Sequence, residues 1–144
     1  PVGNGDLKWK GKSGMADILV LDDVLDAAVL MRKILVKKGH QVFEFTEEEE
    51  AIGFAREHHV DLAILDIKLK KMSGIEVLEE LKKIDEKISF MMLTGYPTLE
   101  TAKEALELGA EEYAVKPIDK VELEEKVASI LARRVKAHQS QVHG

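Results

Sequence analysis

From Asp17 onward the chain alternates two hydrophobic periods, and that alternation restricts the fold more than any other feature. Short β-rich runs stand at 17–21 (DILVL), 41–45 (QVFEF), 61–65 (DLAIL), 88–93 (ISFMML) and 111–115 (EEYAV). Between them, apolar residues recur three and four apart, as an amphipathic helix requires. Val24, Ala28, Met31 and Leu35 form one such stripe within 24–39, which stops at Gly39. The punctuation agrees with helices over 46–59, 73–85, 97–110 and 119–135. Thr46/Glu49, Ser73/Glu76 and Asp119/Glu122 have the spacing of capping boxes, and the fourth helix starts on Pro97 and ends at Gly109. Five strands alternating with five helices predict an α/β fold, a doubly wound five-stranded parallel sheet. Near-continuous apolar strands such as LAIL suit a sheet covered on both faces.

With 144 residues the chain is long enough for one domain with a real core. Its apolar runs are too short to span a bilayer, and no secretory signal is present. The absence of cysteine excludes a disulfide framework, thiolate zinc sites and thiol catalysis, which fits a cytoplasmic location. A net charge of −6 argues against nucleic acid as the domain's main partner. The one basic cluster, at 132–138, reads as a solvated helix end. Residues 1–15, glycine-rich and without periodicity, read as a leader or appended segment, 16–137 as the domain, and 138–144 as a tail or linker stub.

In an open parallel sheet, ligands bind outside the carboxyl ends of the strands. There the first strand ends in Asp22-Asp23, the third in Asp66, the fourth in Thr94-Gly95 and the fifth in Lys116-Pro117. Clustered acids raise one another's pKa unless a cation intervenes, and magnesium favours carboxylate and water oxygens. One carboxylate can then attack a phosphoryl group to form an acyl phosphate. Thr94 can donate to a phosphoryl oxygen and Lys116 can neutralise its charge. Each residue alone has a plainer use, as a helix-dipole acid, a cap or a turn; their joint occurrence at four strand ends carries the inference. His58 and His59, adjacent beside Asp61, read as solvated residues rather than metal ligands.

With these residues in place, the sequence resembles the receiver domain of bacterial two-component response regulators, over about Ala16 to Val135. The resemblance rests on LVLDDV with Asp22 and Asp23, LAILDIKLKKMSGIE with Asp66 and Gly74, LTGY with Thr94, and AVKPID with Lys116 and Pro117. It looks most like receivers of the nitrogen-regulation type. It implies a flavodoxin-like sheet of strand order 2-1-3-4-5. It also implies that Asp66 accepts a phosphoryl group from a phosphohistidine on a sensor kinase or phosphotransfer protein. Mg²⁺ would be held by Asp22, Asp23, Asp66 and the Lys68 carbonyl. Thr94 and Tyr113 would act as switch residues, and the Lys116–Pro117 bond would be cis. The domain would catalyse its own phosphorylation and slow dephosphorylation, and the 97–135 face would meet partners or a second copy. Gly74 would let the chain turn into the following helix. Two positions depart from the family. Lys70 replaces a frequent proline, and Lys68 with Tyr96 flanks the path of an attacking water, so both long side chains are expected to shield the phosphoryl group.

Three rivals share parts of this pattern. A flavodoxin-like cofactor protein needs a hydroxyl- and glycine-rich loop where Asp22-Asp23 stands. A haloacid-dehalogenase-type phosphatase needs an acid two residues after its nucleophile, where Val24 and Lys68 stand. A phosphorylation-independent interaction module with the same fold has no need of an intact Asp22, Asp23, Asp66, Thr94 and Lys116 set.

Overall fold

The structure, a computed structural model, describes residues 15–143, with side chains through residue 137. The leader expected over 1–15 therefore lies, but for Met15, outside the described residues. The elements run β1 (Asp17–Leu21), α1 (Leu25–Lys37), β2 (Gln41–Phe45), α2 (Glu48–Glu57) and β3 (Leu62–Asp66). There follow α3 (Gly74–Ile84), β4 (Ser89–Thr94), α4 (Leu99–Glu107), β5 (Glu112–Val115) and α5 (Lys120–His143). All neighbouring strands pair in parallel, in the order β2-β1-β3-β4-β5, as expected.

Strand alternation sorts the interior into two layers. Leu19, Leu21, Ala63, Leu65, Phe90 and Met92 face α2, α3 and α4, which contribute Ile52, Leu78, Leu81 and Ala105. Their neighbours Ile18, Val20, Leu62, Ile64, Met91 and Leu93 face α1 and α5, against Met31, Leu35, Val127 and Ile130. β1, β3 and β4 are buried along their whole length. Each fully buried Leu or Ile side chain contributes about 2 kcal/mol, so the three central strands fix the sheet on which the loops at its carboxyl edge stand.

Several local expectations hold. Ser73 and Glu76 form a complete capping box, and Asp119 accepts from the Glu122 amide at 2.8 Å. Gly39 and Gly109 end their helices at φ of 98° and 104°, where a side chain would be strained. The Lys116–Pro117 bond is cis.

Others are corrected. Thr46 does not cap α2. Glu47 is the N-cap residue, without a side-chain cap bond, because a run of four glutamates allows the helix to begin one residue later. α4 starts at Leu99 with Thr98 as its cap rather than on Pro97. Val24 precedes α1 and is exposed, so the buried stripe is Ala28, Met31 and Leu35. α5 runs to His143, so the stretch from 138, read as a tail or linker stub, continues this helix. The basic cluster is not merely solvated. Arg133 pairs with Glu111 and Glu112, and Arg134 reaches the Lys87 carbonyl, Ser89 and Asp61, tying α5 to the amino-terminal edge of the sheet. His59 is exposed as expected, though it contacts Asp61 at 2.8 Å, whereas His58 is half-buried and stacks on Phe54 at 4.5 Å between ring centroids.

Candidate functional site

The carboxyl ends of β1, β3, β4 and β5 converge because backbone bonds carry the sheet register into the loops. Asp22 N–H donates to the Phe45 carbonyl, Ile67 N–H to Leu93 and Lys116 N–H to Thr94. The result brings Asp22, Asp23 and Asp66 together, with one oxygen of each inside a 4.8 Å span. Asp22 is fully buried and Asp66 is 5% exposed. Lys116 Nζ lies 2.7 Å from Asp22 Oδ2 and 3.1 Å from Asp66 Oδ2, bridging the two strands. The other oxygens are oriented locally. Asp22 Oδ1 accepts from Val24 N–H at 2.9 Å, and Asp66 Oδ1 from Lys68 N–H at 3.2 Å.

This geometry is electrically unbalanced in a useful direction. Burial, and secondarily the nearby Asp22 charge, pushes the Asp66 carboxyl above its ordinary range against the opposing pull of Lys116. Burial works to lower Lys116, but its bonds to Asp22 and Asp66 outweigh it and hold the ammonium above its ordinary value. Three carboxylates with a single bridging ammonium leave a surplus of hard oxygen donors. Such a donor set fits a divalent cation of the magnesium type, with open positions for water or phosphoryl oxygen.

Thr94 closes the site from β4. It is 1% exposed, and its Oγ1 accepts from Tyr96 N–H at 2.9 Å, which leaves the hydroxyl proton to be given elsewhere. Tyr113 is paired opposite Met92 in the sheet, and its hydroxyl meets Thr101 Oγ1 on α4 at 2.8 Å. Lys68 Nζ stands 4.5 Å above the Tyr96 ring centroid, so the two side chains expected to shield the phosphoryl group meet each other. They line an open cavity of about 410 Å³ together with Met72, Ser73, Thr94 and Thr101.

Gly74 has a role sharper than a turn. A Cβ there would lie 2.1 Å from the Asp66 carbonyl oxygen and 2.8 Å from its carbon. Its amide donates to the Ile67 carbonyl at 2.8 Å. Only a residue without a side chain lets α3 begin directly against the backbone of Asp66.

Two residues escaped the sequence reading. Thr101 is hidden because nothing local to α4 announces a partner twelve residues away. Glu48 sits in a run of glutamates that reads as helix-dipole acid, yet it is 1% exposed. Its Oε2 accepts from the amides of Lys71 at 2.6 Å and Met72 at 3.0 Å, in the loop that follows Asp66. Burial works to raise its carboxyl, but those amides, its own amide and the Lys71 charge outweigh it and hold the group below its ordinary range.

Comparison with known proteins agrees with this geometry. Residues 18–128 match the family model described as response regulator receiver domain. Sporulation initiation phosphotransferase F of Bacillus subtilis is 34% identical over 114 residues, 79% of this chain and 92% of that protein. The chain spans only about a quarter of several other curated relatives of equal identity, 26% to 27% of their length. Among solved structures, a receiver domain protein (CheY-like) from Methanospirillum hungatei JF-1 superposes with a TM-score of 0.82 at 31% identity, covering 85% of this chain and 98% of that one. A response regulator protein from Burkholderia pseudomallei, crystallised with a phosphorylated aspartic acid, calcium ion and citrate, gives a TM-score of 0.73 at 25% identity over 88% of this chain and 72% of that one. The chain belongs to the response regulator receiver domains, the phosphoacceptor modules of two-component signalling.

Proposed function

We propose that Asp66 is the phosphoacceptor of this receiver, taking its phosphoryl group from a phosphohistidine on a sensor kinase or phosphotransfer protein. The observation that carries the assignment is the ammonium of Lys116 set between Asp22 and Asp66, with Asp23 completing a three-carboxylate cluster. An Asp66 carboxylate oxygen attacks phosphorus as the histidine nitrogen–phosphorus bond breaks. The imidazole leaves with the electron pair and takes a proton. Asp22, Asp23, Asp66 and the Lys68 carbonyl would hold Mg²⁺, which when bound supplies charge neutralisation to the phosphoryl oxygens. Lys116 then exchanges carboxylate for phosphoryl oxygen, and the Thr94 hydroxyl donates to another. The positions of these groups before transfer make the site preorganised rather than assembled by it.

Tyr113 is the readout in this proposal. Its hydroxyl is bonded to Thr101 on α4, so a Thr94 drawn toward phosphate alters the space beside an aromatic already tied to that helix. Leu99, Leu106, Val115 and Val121, all exposed, support the 97–135 face as a surface for a partner or second copy. The functional unit is assigned to 16–137. No helix among the described residues is long and apolar enough to cross a membrane.

Incubation with Mg²⁺ and acetyl phosphate, followed by intact mass, tests the assignment. One added phosphoryl group on the wild type and none on Asp66→Ala is the expected result. An unmodified wild type, or an adduct that persists in Asp66→Ala, overturns it.

A further inference from the structure

The loop from Asp66 to Gly74 contains no proline, and it carries the acceptor at one end. Its ends are closed by the Gly74–Ile67 backbone bond and by the capping box of Ser73 with Glu76. Lys68 N–H is held by Asp66 itself. Leu69 and Met72 pack against the core, and a further restraint comes from another element, the buried carboxylate of Glu48 in the first turn of α2, twenty-three residues earlier in the chain than Lys71. One oxygen takes both the Lys71 and the Met72 amide, whereas the other is buried without a hydrogen-bond partner among the described residues. Burying a carboxylate with one oxygen unserved is costly. The N-cap residue of α2, Glu47, makes no side-chain cap bond, and Glu48's own amide also acts on its carboxylate. Its Oε2 bonds to the Lys71 and Met72 amides thereby tie the start of α2 to the loop.

We propose that Glu48 is a positioning residue for phosphoryl transfer: its carboxylate holds the Lys71 and Met72 backbone and so fixes the loop that presents Asp66 and the Lys68 carbonyl to the cation. The inference rests on the reading of Asp66 as a magnesium-dependent acceptor. Two anchors, Asp66 itself and the Glu48-bound pair, leave Lys68, Leu69 and Lys70 as a short bridge with little freedom. Without the second anchor the bridge lengthens to the capping box at Ser73, and a carbonyl within it no longer has one position. Groups that orient metal ligands from behind are worth about 10- to 100-fold in affinity.

The test uses Glu48→Asp, which keeps the charge and shortens the reach, and Glu48→Gln, which keeps the reach and removes the charge. Mg²⁺ affinity is measured by calorimetry on protein shown to be folded by circular dichroism, and amide exchange is followed at Lys71 and Met72. Glu48→Asp is expected to weaken Mg²⁺ about 10-fold and to speed exchange at both amides. Glu48→Gln, whose amide oxygen still accepts both bonds at reduced strength, is expected to lose about 3-fold. Equal affinity in wild type and Glu48→Asp, or a larger loss in Glu48→Gln, overturns the proposal, because charge alone would produce the latter order. If Glu48→Asp does not fold, Glu48→Gln decides, and unchanged affinity there overturns it. Failure of the wild type itself to bind Mg²⁺ or accept a phosphoryl group defeats the acceptor reading instead.

Discussion

Alanine at position 74 is the smallest change that presses directly on the backbone of Asp66, the proposed acceptor. The added Cβ would start 2.1 Å from the Asp66 carbonyl oxygen, and ordinary contact begins near 3.4 Å, so the first turn of α3 and the end of β3 must part by more than an ångström. Both opposing groups are backbone, and no flexible side chain can yield. Forced overpacking of this kind costs about 3 kcal/mol. Alanine recovers about 1 kcal/mol of helix propensity, which leaves a net loss of about 2 kcal/mol. For a domain of this size that lowers the melting temperature by roughly 6 °C. Gly53→Ala is the matched control. Gly53 lies inside α2 with nothing within 4 Å of the new Cβ, so the same change there should stabilise by about 1 kcal/mol. Thermal unfolding by circular dichroism reads both. In the surviving Gly74→Ala fold, Asp66 moves with its carbonyl, and transfer from acetyl phosphate should slow by up to about 10²-fold. A Gly74→Ala protein as stable as Gly53→Ala, or one phosphorylated at the wild-type rate, would refute the close-approach argument.

Other expectations do not depend on Gly74. Lys68→Asn and Tyr96→Ala should each shorten the phosphoryl lifetime by about 2- to 5-fold, the worth of an exposed cation–π contact, and the double variant should lose little more because the two side chains meet. Additive losses would show that they shield independently, and unchanged or slower loss in both single variants would remove the shielding idea. Mg²⁺ at ten times its dissociation constant should stabilise the unphosphorylated protein by about 1.4 kcal/mol; that gain should vanish in Asp22→Asn, as read by chemical denaturation with and without the cation. His40 is pushed below its ordinary value of 6.5 by burial and by Lys38, against the pull of Asp61. The unfolded chain therefore protonates first, and stability present above pH 6.5 is lost as the pH falls toward the folded value. His40→Gln should flatten the melting temperature across that window, and an unchanged slope would rule His40 out as its source.

The fold was legible because the three central strands are apolar and every strand is bounded. LAIL and its neighbours suit a covered parallel sheet, and that sheet places the five candidate side chains on one edge. Ser73 with Glu76 and the glycines at 39 and 109 were equally legible, since caps act within four residues. The shortfall came from two physical sources. Degenerate local signals misplace boundaries, as in the glutamate run that shifted the start of α2 past Thr46. Contacts distant in sequence leave no local mark. Arg134 looks like any helix-end cation until α5 packs beside Asp61, and Tyr113 shows no sign of Thr101. Glu48 combines both problems, being one of four identical residues and bonded to a loop on another element. Gly74 was noticed for its conformational freedom, but the feature that requires glycine is the absence of a side chain against the Asp66 carbonyl.

The assignment of the acceptor is tested most directly by locating the phosphoryl group. The protein is phosphorylated with Mg²⁺ and acetyl phosphate, reduced with borohydride, which converts an aspartyl phosphate to homoserine, and mapped by peptide mass spectrometry. Homoserine at position 66, with Asp22 and Asp23 unchanged, is the expected outcome. Homoserine at Asp22 or Asp23, or at no position after confirmed phosphorylation, would contradict the central claim that the carboxylate bridged by Lys116 at the end of β3 is the one that takes the phosphoryl group.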